Sequence, residues 1–247
     1  GAFFLLLLAV EVARGTRLPR RAGPLLAVAV AAAIVSNLGV LRDHARFLRS
    51  QAQLVKADLA AVDIGRPVAR RDLVLTTFPA YPLLVVKVGA YLAAKKAIGS
   101  PASTPTELAR EPEAARRVAD LTLIDIHRIR LQPAPRGLRP GTPPAVEVAA
   151  GGTVVRRGAC VSVRSAGATP ADASHRLDVA VPSAGLVVTA QGGSVTVSVR
   201  RFADEFQPVG RRARSVSAVL RIGPDLSARP WHARVAPTDG ATVCGVG

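Results

Sequence analysis

Methionine is absent from all 247 residues, and residue 1 is a glycine inside an apolar run. That combination leads us to expect a fragment whose N-terminal portion is missing. Aromatic residues make up only 4% of the chain, and it holds no long charge block and no low-complexity tract, so global disorder is excluded. Two cysteines are too few for a disulfide-dense mini-protein. Lysine is nearly missing: Lys56, Lys87, Lys95 and Lys96 are the whole set, and arginine supplies the rest of the +16 net charge. Such a bias fits high-GC coding as well as selection for charge. No GxSxG, HExxH, P-loop, GxGxxG or paired CxxC occurs, and His44, His127, His175 and His232 share no metal-ligand spacing. No catalytic, cofactor-binding or metal-binding residue is therefore assigned.

The excess of basic residues invites a nucleic-acid partner, since phosphate contacts dominate non-specific affinity. The arginines, however, are scattered in ones and twos (Arg70-Arg71, Arg116-Arg117, Arg156-Arg157, Arg200-Arg201, Arg211-Arg212), with no recognition motif beside them. A solvated arginine-rich surface accounts for them, and no nucleic-acid partner is expected.

What the chain does have is apolar sequence at its start. Residues 1–13 are apolar except for Glu11, too short to cross a hydrocarbon core of about 30 Å, and read as the tail of a truncated span. Arg14, Arg17, Arg20 and Arg21 follow. Residues 22–41 then run without a charge, long enough for a full span with Pro24 in its first turn. A mildly apolar, alanine-rich core helix is the competing reading. Arginine counts on the two sides of residues 22–41 tie, so the cysteines decide orientation. Cys160 and Cys244 stand near the two ends of a β-rich region, which fits a disulfide in an oxidising compartment. Residues 42–247 are accordingly expected to be extracytoplasmic, at the plasma membrane; two buried free thiols are the alternative.

Beyond the span, Leu38, Leu41, Ala45, Leu48, Ala52, Val55, Leu59 and Val62 recur every three or four residues, one stripe of a helix that Gly65 and Pro67 should stop. An irregular stretch over residues 76–82 and a short apolar helix over about 83–96 are expected next. Thr104-Pro105-Thr106-Glu107 reads as a capping box, and Glu111-Pro112 restarts a helix to about Ile126. Residues 42–131 thus form a helical region. Residues 132–144, with five prolines and two glycines, read as a linker. From there the period switches to two. Nine short strands are expected (146–149, 154–157, 160–164, 177–181, 186–190, 195–200, 216–222, 231–235 and 242–244), separated by glycine-rich turns. That pattern predicts an antiparallel β-sandwich over residues 145–247, of which a jelly roll is one form, able to fold alone.

Several short motifs resemble a known group. Ser36-Asn37-Leu38-Gly39, Leu41-Arg42-Asp43, Gly89-Ala90-Tyr91-Leu92-Ala93, Gly99-Ser100-Pro101-Ala102 and Thr104-Pro105 are followed late in the chain by three more. These are Arg201-Phe202-Ala203-Asp204, Arg229-Pro230-Trp231 and Thr242-Val243-Cys244. Together they look like the C-terminal part of actinobacterial polytopic membrane proteins that resemble the GT-C glycosyltransferases. The resemblance implies a multi-helix membrane body first and an extracytoplasmic domain last. It implies the lipid bilayer as one partner, and a polyprenyl-phosphate sugar or a cell-envelope glycan as another. Catalytic acids in that group lie in an early outer loop, so none is carried over, and this chain would serve as non-catalytic support. The alternative is a non-enzymatic, membrane-anchored envelope protein presenting a binding or structural sandwich.

Three residues are candidates for ligand binding. Trp231, the only tryptophan, could stack a sugar, although a tryptophan within a strand commonly belongs to a core. Arg201 and Asp204, from the pair Arg200-Arg201 beside Asp204-Glu205, could hold a sugar or a cation, or form a strand-end ion pair. His127, near a helix end beside Asp125, reads as a capping or surface residue, and Tyr81 and Tyr91 as headgroup-level aromatics or buried contacts.

Overall fold

The computed structural model describes residue 11 and residues 22–75, 86–139, 141–150, 152–165, 175–213 and 216–247. The partial span 1–13 apart from Glu11, the arginine loop 14–21, the irregular stretch 76–82, the start of the helix expected from 83, and Tyr81 lie outside the described residues. The chain divides into two units, Gly1–Ala52 and Gln53–Gly247.

Helix α1 runs from Ala22 to Gly65 and ends where Gly65 and Pro67 were expected to end it. In the first unit, Val28, Val35, Leu38 and Leu41 are exposed, and so are Phe47 and Leu48. Among the described residues, no helix is long and apolar enough to cross a membrane, so the full span expected over 22–41 is not supported here. The amphipathic stripe is likewise buried only in its last part: Leu59 and Val62 are covered, whereas Leu38, Leu41 and Leu48 are open.

In the second unit, the end of α1 packs with three further helices. These are α2 (Val88–Ile98), the single turn α3 (Pro105–Leu108) and α4 (Glu113–His127). The capping box forms as read: Thr104 Oγ1 accepts from the Glu107 backbone N–H, and the Glu107 carboxylate accepts from the Thr104 N–H. The carboxylate of Glu107 is lowered below its usual range by that backbone bond. A two-stranded ribbon, β1 (Val74–Leu75) with β2 (Val86–Lys87), lies beside α2.

The remaining strands build two antiparallel sheets. In chain order they are β3 (Gln132–Pro133), β4 (Val146–Ala150), β5 (Gly152–Arg157), β6 (Cys160–Ser165), β7 (Arg176–Ala180) and β8 (Leu186–Gly192). After them come β9 (Ser194–Arg200), β10 (Gln207–Ala213), β11 (Ser217–Leu220), β12 (His232–Pro237) and β13 (Gly240–Gly245). One sheet has the order β10-β9-β12-β7-β4, the other β3-β11-β8-β13-β6-β5. Alternation places Val195, Val197 and Val199 of β9 inward, facing a core that also holds Val161, Val163, Leu186, Val188 and Val243. This is the expected antiparallel β-sandwich.

Two strands of these sheets went unread, as did the ribbon β1–β2, whose Val86–Lys87 fell within the helix expected over about 83–96. The sequence of β10, Gln207-Pro208-Val209-Gly210-Arg211-Arg212-Ala213, lacks an apolar alternation and carries a proline. It is an edge strand with a bulge between Pro208 and Gly210, where a missing N–H is tolerated. The second is β3, at the other sheet's edge, which takes in the first residues of the stretch expected to be a linker. That stretch is no free tether. The Ala134 N–H donates to Ser217 O, and the Gly141 N–H donates to Gly245 O.

Nor do helices and sandwich have separate interiors. One apolar cluster contains Ala57, Ala60, Ile64, Leu108 and Leu123 together with the inward valines of both sheets. From Gln53 onward, helices and sandwich belong to one compact unit.

Candidate functional site

Cys160 and Cys244 stand directly opposite each other in the register of β6 and β13, and they are joined by a disulfide. The bond ties the last strand of the chain to its neighbour, across a sequence separation of 84 residues.

The candidate ligand residues separate into two places. Trp231, at the entry to β12, is 5% exposed, so the plainer core reading describes it better than an open stacking platform. Arg201, just after β9, is 3% exposed and makes a two-pronged ion pair with Asp225. Its guanidinium also donates to the carbonyls of Ser227 and Arg229, and it lies 5.4 Å from the Trp231 ring. A buried arginine needs that many acceptors, because an unpaired buried charge is costly.

Around these two residues the loop 222–230 folds back to leave a cleft of about 390 Å³. Its walls include Ser183, Arg201, Asp225, Ser227, Arg229 and Trp231. Arg229 reaches back from the open side: its Nε donates to Arg201 O at 2.8 Å. The cleft therefore pairs an apolar wall with a small number of fixed polar groups, the usual makeup of a site for a small polar ligand.

Asp204 does not join them. It is 72% exposed and accepts two bonds from Arg116 of α4, at 3.2 and 2.6 Å. Arg116 thereby holds the Asp204 carboxyl below the usual range. Glu205 pairs with Arg117 of the same helix. The strand-end ion pair read with Arg200-Arg201 is instead a bridge from the sandwich loop to α4.

That bridge has a buried counterpart which the sequence did not reveal. Asp120 of α4 is fully buried and accepts backbone N–H bonds from Arg201, Phe202 and Ala203. Glu113, two turns nearer the start of α4, accepts from the N–H groups of Asp204 and Glu205. Five successive backbone donors of the loop 201–205 thus end on two carboxylates of one helix. Burial pushes the Asp120 carboxyl up, and the three N–H bonds with the nearby Arg201 charge pull it down. Asp120 and Glu113 stand seven apart, two turns of helix, so they share a face. That spacing is the one signal in the sequence, and it is shared by many exposed acid pairs.

His127, read as a surface or capping residue, has its side chain wholly buried at the end of α4, with Nε2 3.6 Å from Asp225. Burial lowers its pKa from the ordinary value, more strongly than the Asp225 charge raises it, so the ring is neutral near pH 7. Among the described residues, no group of three or more His, Cys, Asp or Glu is placed to hold a metal ion.

Fold and site together define a disulfide-linked β-sandwich buttressed by helices, with one cleft held in shape by an Arg–Asp pair. No protein-family model matches the chain, and no curated protein does. Among solved structures, it is similar to a family 29 carbohydrate-binding module complexed with mannohexaose. The identity is 15%, over 48% of this chain and 86% of that one, with a TM-score of 0.31. Another structure of a family 29 module gives 16% identity over 48% and 84%, with a TM-score of 0.29. At those scores the likeness carries no argument about this chain.

Proposed function

We propose that this chain is a non-enzymatic, membrane-anchored envelope protein whose sandwich binds a cell-envelope glycan in the Arg201–Asp225–Trp231 cleft. The cleft itself carries the reading. Its polar groups are prearranged, and its strongest ionisable groups are spent on each other rather than poised for proton transfer: Arg201 on Asp225 and two carbonyls. A site whose charges are already satisfied suits a neutral, hydroxylated ligand, which needs fixed donors and acceptors more than free charge. Ser183, Ser227 and Arg229 supply those groups at the rim.

The extracytoplasmic location is supported by the disulfide, which persists in oxidising compartments. Membrane attachment through residues 22–41 is read from their lack of charge and from apolar side chains that stay uncovered on this helix, Val35 at 69% and Leu41 at 64%, and not from a span, since no described helix is long and apolar enough to cross a membrane. The plasma membrane is the bilayer meant. Nothing in the described residues speaks for glycosyl transfer, so we rest the proposal on the binding protein and not on support for a lipid-linked-sugar enzyme.

Isothermal titration of the full chain with mannohexaose, cellohexaose and chitohexaose tests the cleft. We expect at least one to bind and Arg229→Ala to weaken it by about tenfold, roughly the loss of one charge-assisted hydrogen bond. Binding that Arg229→Ala and Ser227→Ala leave untouched, or no binding by any of the three, would overturn the reading.

A further inference from the structure

The loop 222–230 meets the end of α4 at His127. A methyl group placed on Gly223 would stand 3.3 Å from His127 Nδ1 and 3.3 Å from Val68 Cγ1, so the start of the loop is wedged between the two. The His127 side chain has no solvent exposure, yet neither ring nitrogen has a hydrogen-bond partner among the described residues. A neutral imidazole carries one N–H, and here that donor is unmet.

Asp225 fastens the same loop from the inside, with its side chain only 6% exposed. Its Oδ2 accepts from Arg201 Nη1 and also faces His127 Nε2 at 3.6 Å. Its Oδ1 accepts from Arg201 Nη2 at 3.0 Å and from the Ser227 N–H at 2.9 Å. One carboxylate oxygen therefore stands between a guanidinium and an imidazole.

Two charged groups act on the ring: Asp225 draws a proton to it and Arg201 repels one. Asp125, on the same helix, is exposed and stands two residues back, a spacing that puts it on another face. Val68, across Gly223, is apolar. With the ring neutral, one buried cation is matched by one buried anion. A protonated ring would set two buried cations on one carboxylate, and an uncompensated buried charge is costly. Water relieves that cost only if the loop gives way.

We infer that protonation of His127 lifts the loop 222–230 from α4 and dismantles the Arg201–Asp225–Trp231 cleft, which is thus formed at neutral pH and lost in acid. An imidazolium competes with Arg201 for Asp225 Oδ2. Arg201 also donates to the carbonyls of Ser227 and Arg229, so the two rim residues shift when its pairing changes. Burial keeps the ring neutral near pH 7 and sets the change below the ordinary histidine range. The loop movement rests on the fold alone. Only its effect on hexasaccharide affinity rests on the glycan reading.

Trp231, the only tryptophan, lies 5.4 Å from the Arg201 guanidinium and reports the change directly. Fluorescence of the full chain, with acrylamide as quencher, is followed from about pH 7.5 to 5 beside far-ultraviolet circular dichroism. One transition is expected, with a midpoint below about 6.5, quenching that rises about twofold or more, and an unchanged dichroism spectrum. His127→Gln and His127→Phe, each checked for folding at pH 7, should abolish it. His232→Gln should keep it, although His232 follows Trp231 directly and pairs with Glu147 at 2.7 Å. Hexasaccharide affinity should fall by about fivefold between pH 7 and 5, and stay flat in His127→Gln. The inference is overturned by a native chain without the transition, by dichroism lost in step with it, or by its survival in both His127 variants. Its loss in His232→Gln, or a hexasaccharide affinity that ignores it, does the same. If no hexasaccharide binds at pH 7, the glycan reading fails while the fluorescence still decides this one.

Discussion

Replacing Asp120 by alanine should be among the most destabilising single changes available in the unit Gln53–Gly247. The carboxylate is fully buried and is the acceptor for three consecutive backbone donors, those of Arg201, Phe202 and Ala203. Alanine leaves those donors unbonded, and each buried unsatisfied group costs about 1–3 kcal/mol. Relief of the cost of burying the carboxylate, which already raises its pKa, offsets part of the sum. A net loss of about 3–5 kcal/mol follows. For a unit of this size, 1 kcal/mol shifts the melting temperature by about 2–4 °C, so the variant should melt about 6–20 °C lower. Asp120→Asn keeps one carbonyl oxygen and should lose about 1–2 kcal/mol. Differential scanning calorimetry of the full chain measures both. An Asp120→Ala variant within about 2 °C of the parent would refute the clamp. Because Arg201 also shapes the cleft through Asp225, the same variant should weaken hexasaccharide binding.

Reducing the disulfide, or replacing both cysteines by alanine, should cost up to about 4–5 kcal/mol by the chain-entropy model, for a loop closed over 84 residues; an unchanged melt in dithiothreitol would contradict it. The Asp204–Arg116 bridge carries a lowered Asp204 pKa, so its contribution is present above the ordinary carboxylate pKa and is lost as pH falls through the depressed one. Arg116→Met should therefore flatten the acid limb of the stability curve below about pH 4, and an unaltered limb would count against the bridge. His127 is neutral because burial depresses its pKa, so its contribution is present above 6.5 and is lost as pH falls further. His127→Phe should remove that acid sensitivity, and pH melts between about 5 and 7 would show whether it does.

The positions of most strands along the chain were readable from the sequence alone, but their order within the two sheets was not. Alternation in β9 and β12, glycine-containing turns before several strands such as Pro182–Gly185 and Asp239-Gly240, and the cysteines near the two ends of the β-rich region are local records of backbone state. Local records survive in a linear pattern. The same holds for the Thr104–Glu107 capping box and for the end of α1 at Gly65, where chain geometry within a few residues decides the outcome. The edge strand β10 escaped because edge positions are released from the alternation that buried strands must keep.

The site was another matter. Trp231 and Arg201 were named from their residue types, but whether they faced solvent depended on the loop 222–230, which only the fold lays over them. Asp204 was paired by proximity in sequence with Arg200-Arg201, whereas its partner Arg116 lies 88 residues away. Asp120 meets its three amides across 81 to 83 residues, and nothing in the segment 113–127 distinguishes it from a solvated acid. Residue types and spacings determine which local structures are cheap to form. Which distant carboxylate ends up under which loop is decided by packing of the apolar cluster that joins helices to sandwich, and that cost is shared across the whole unit.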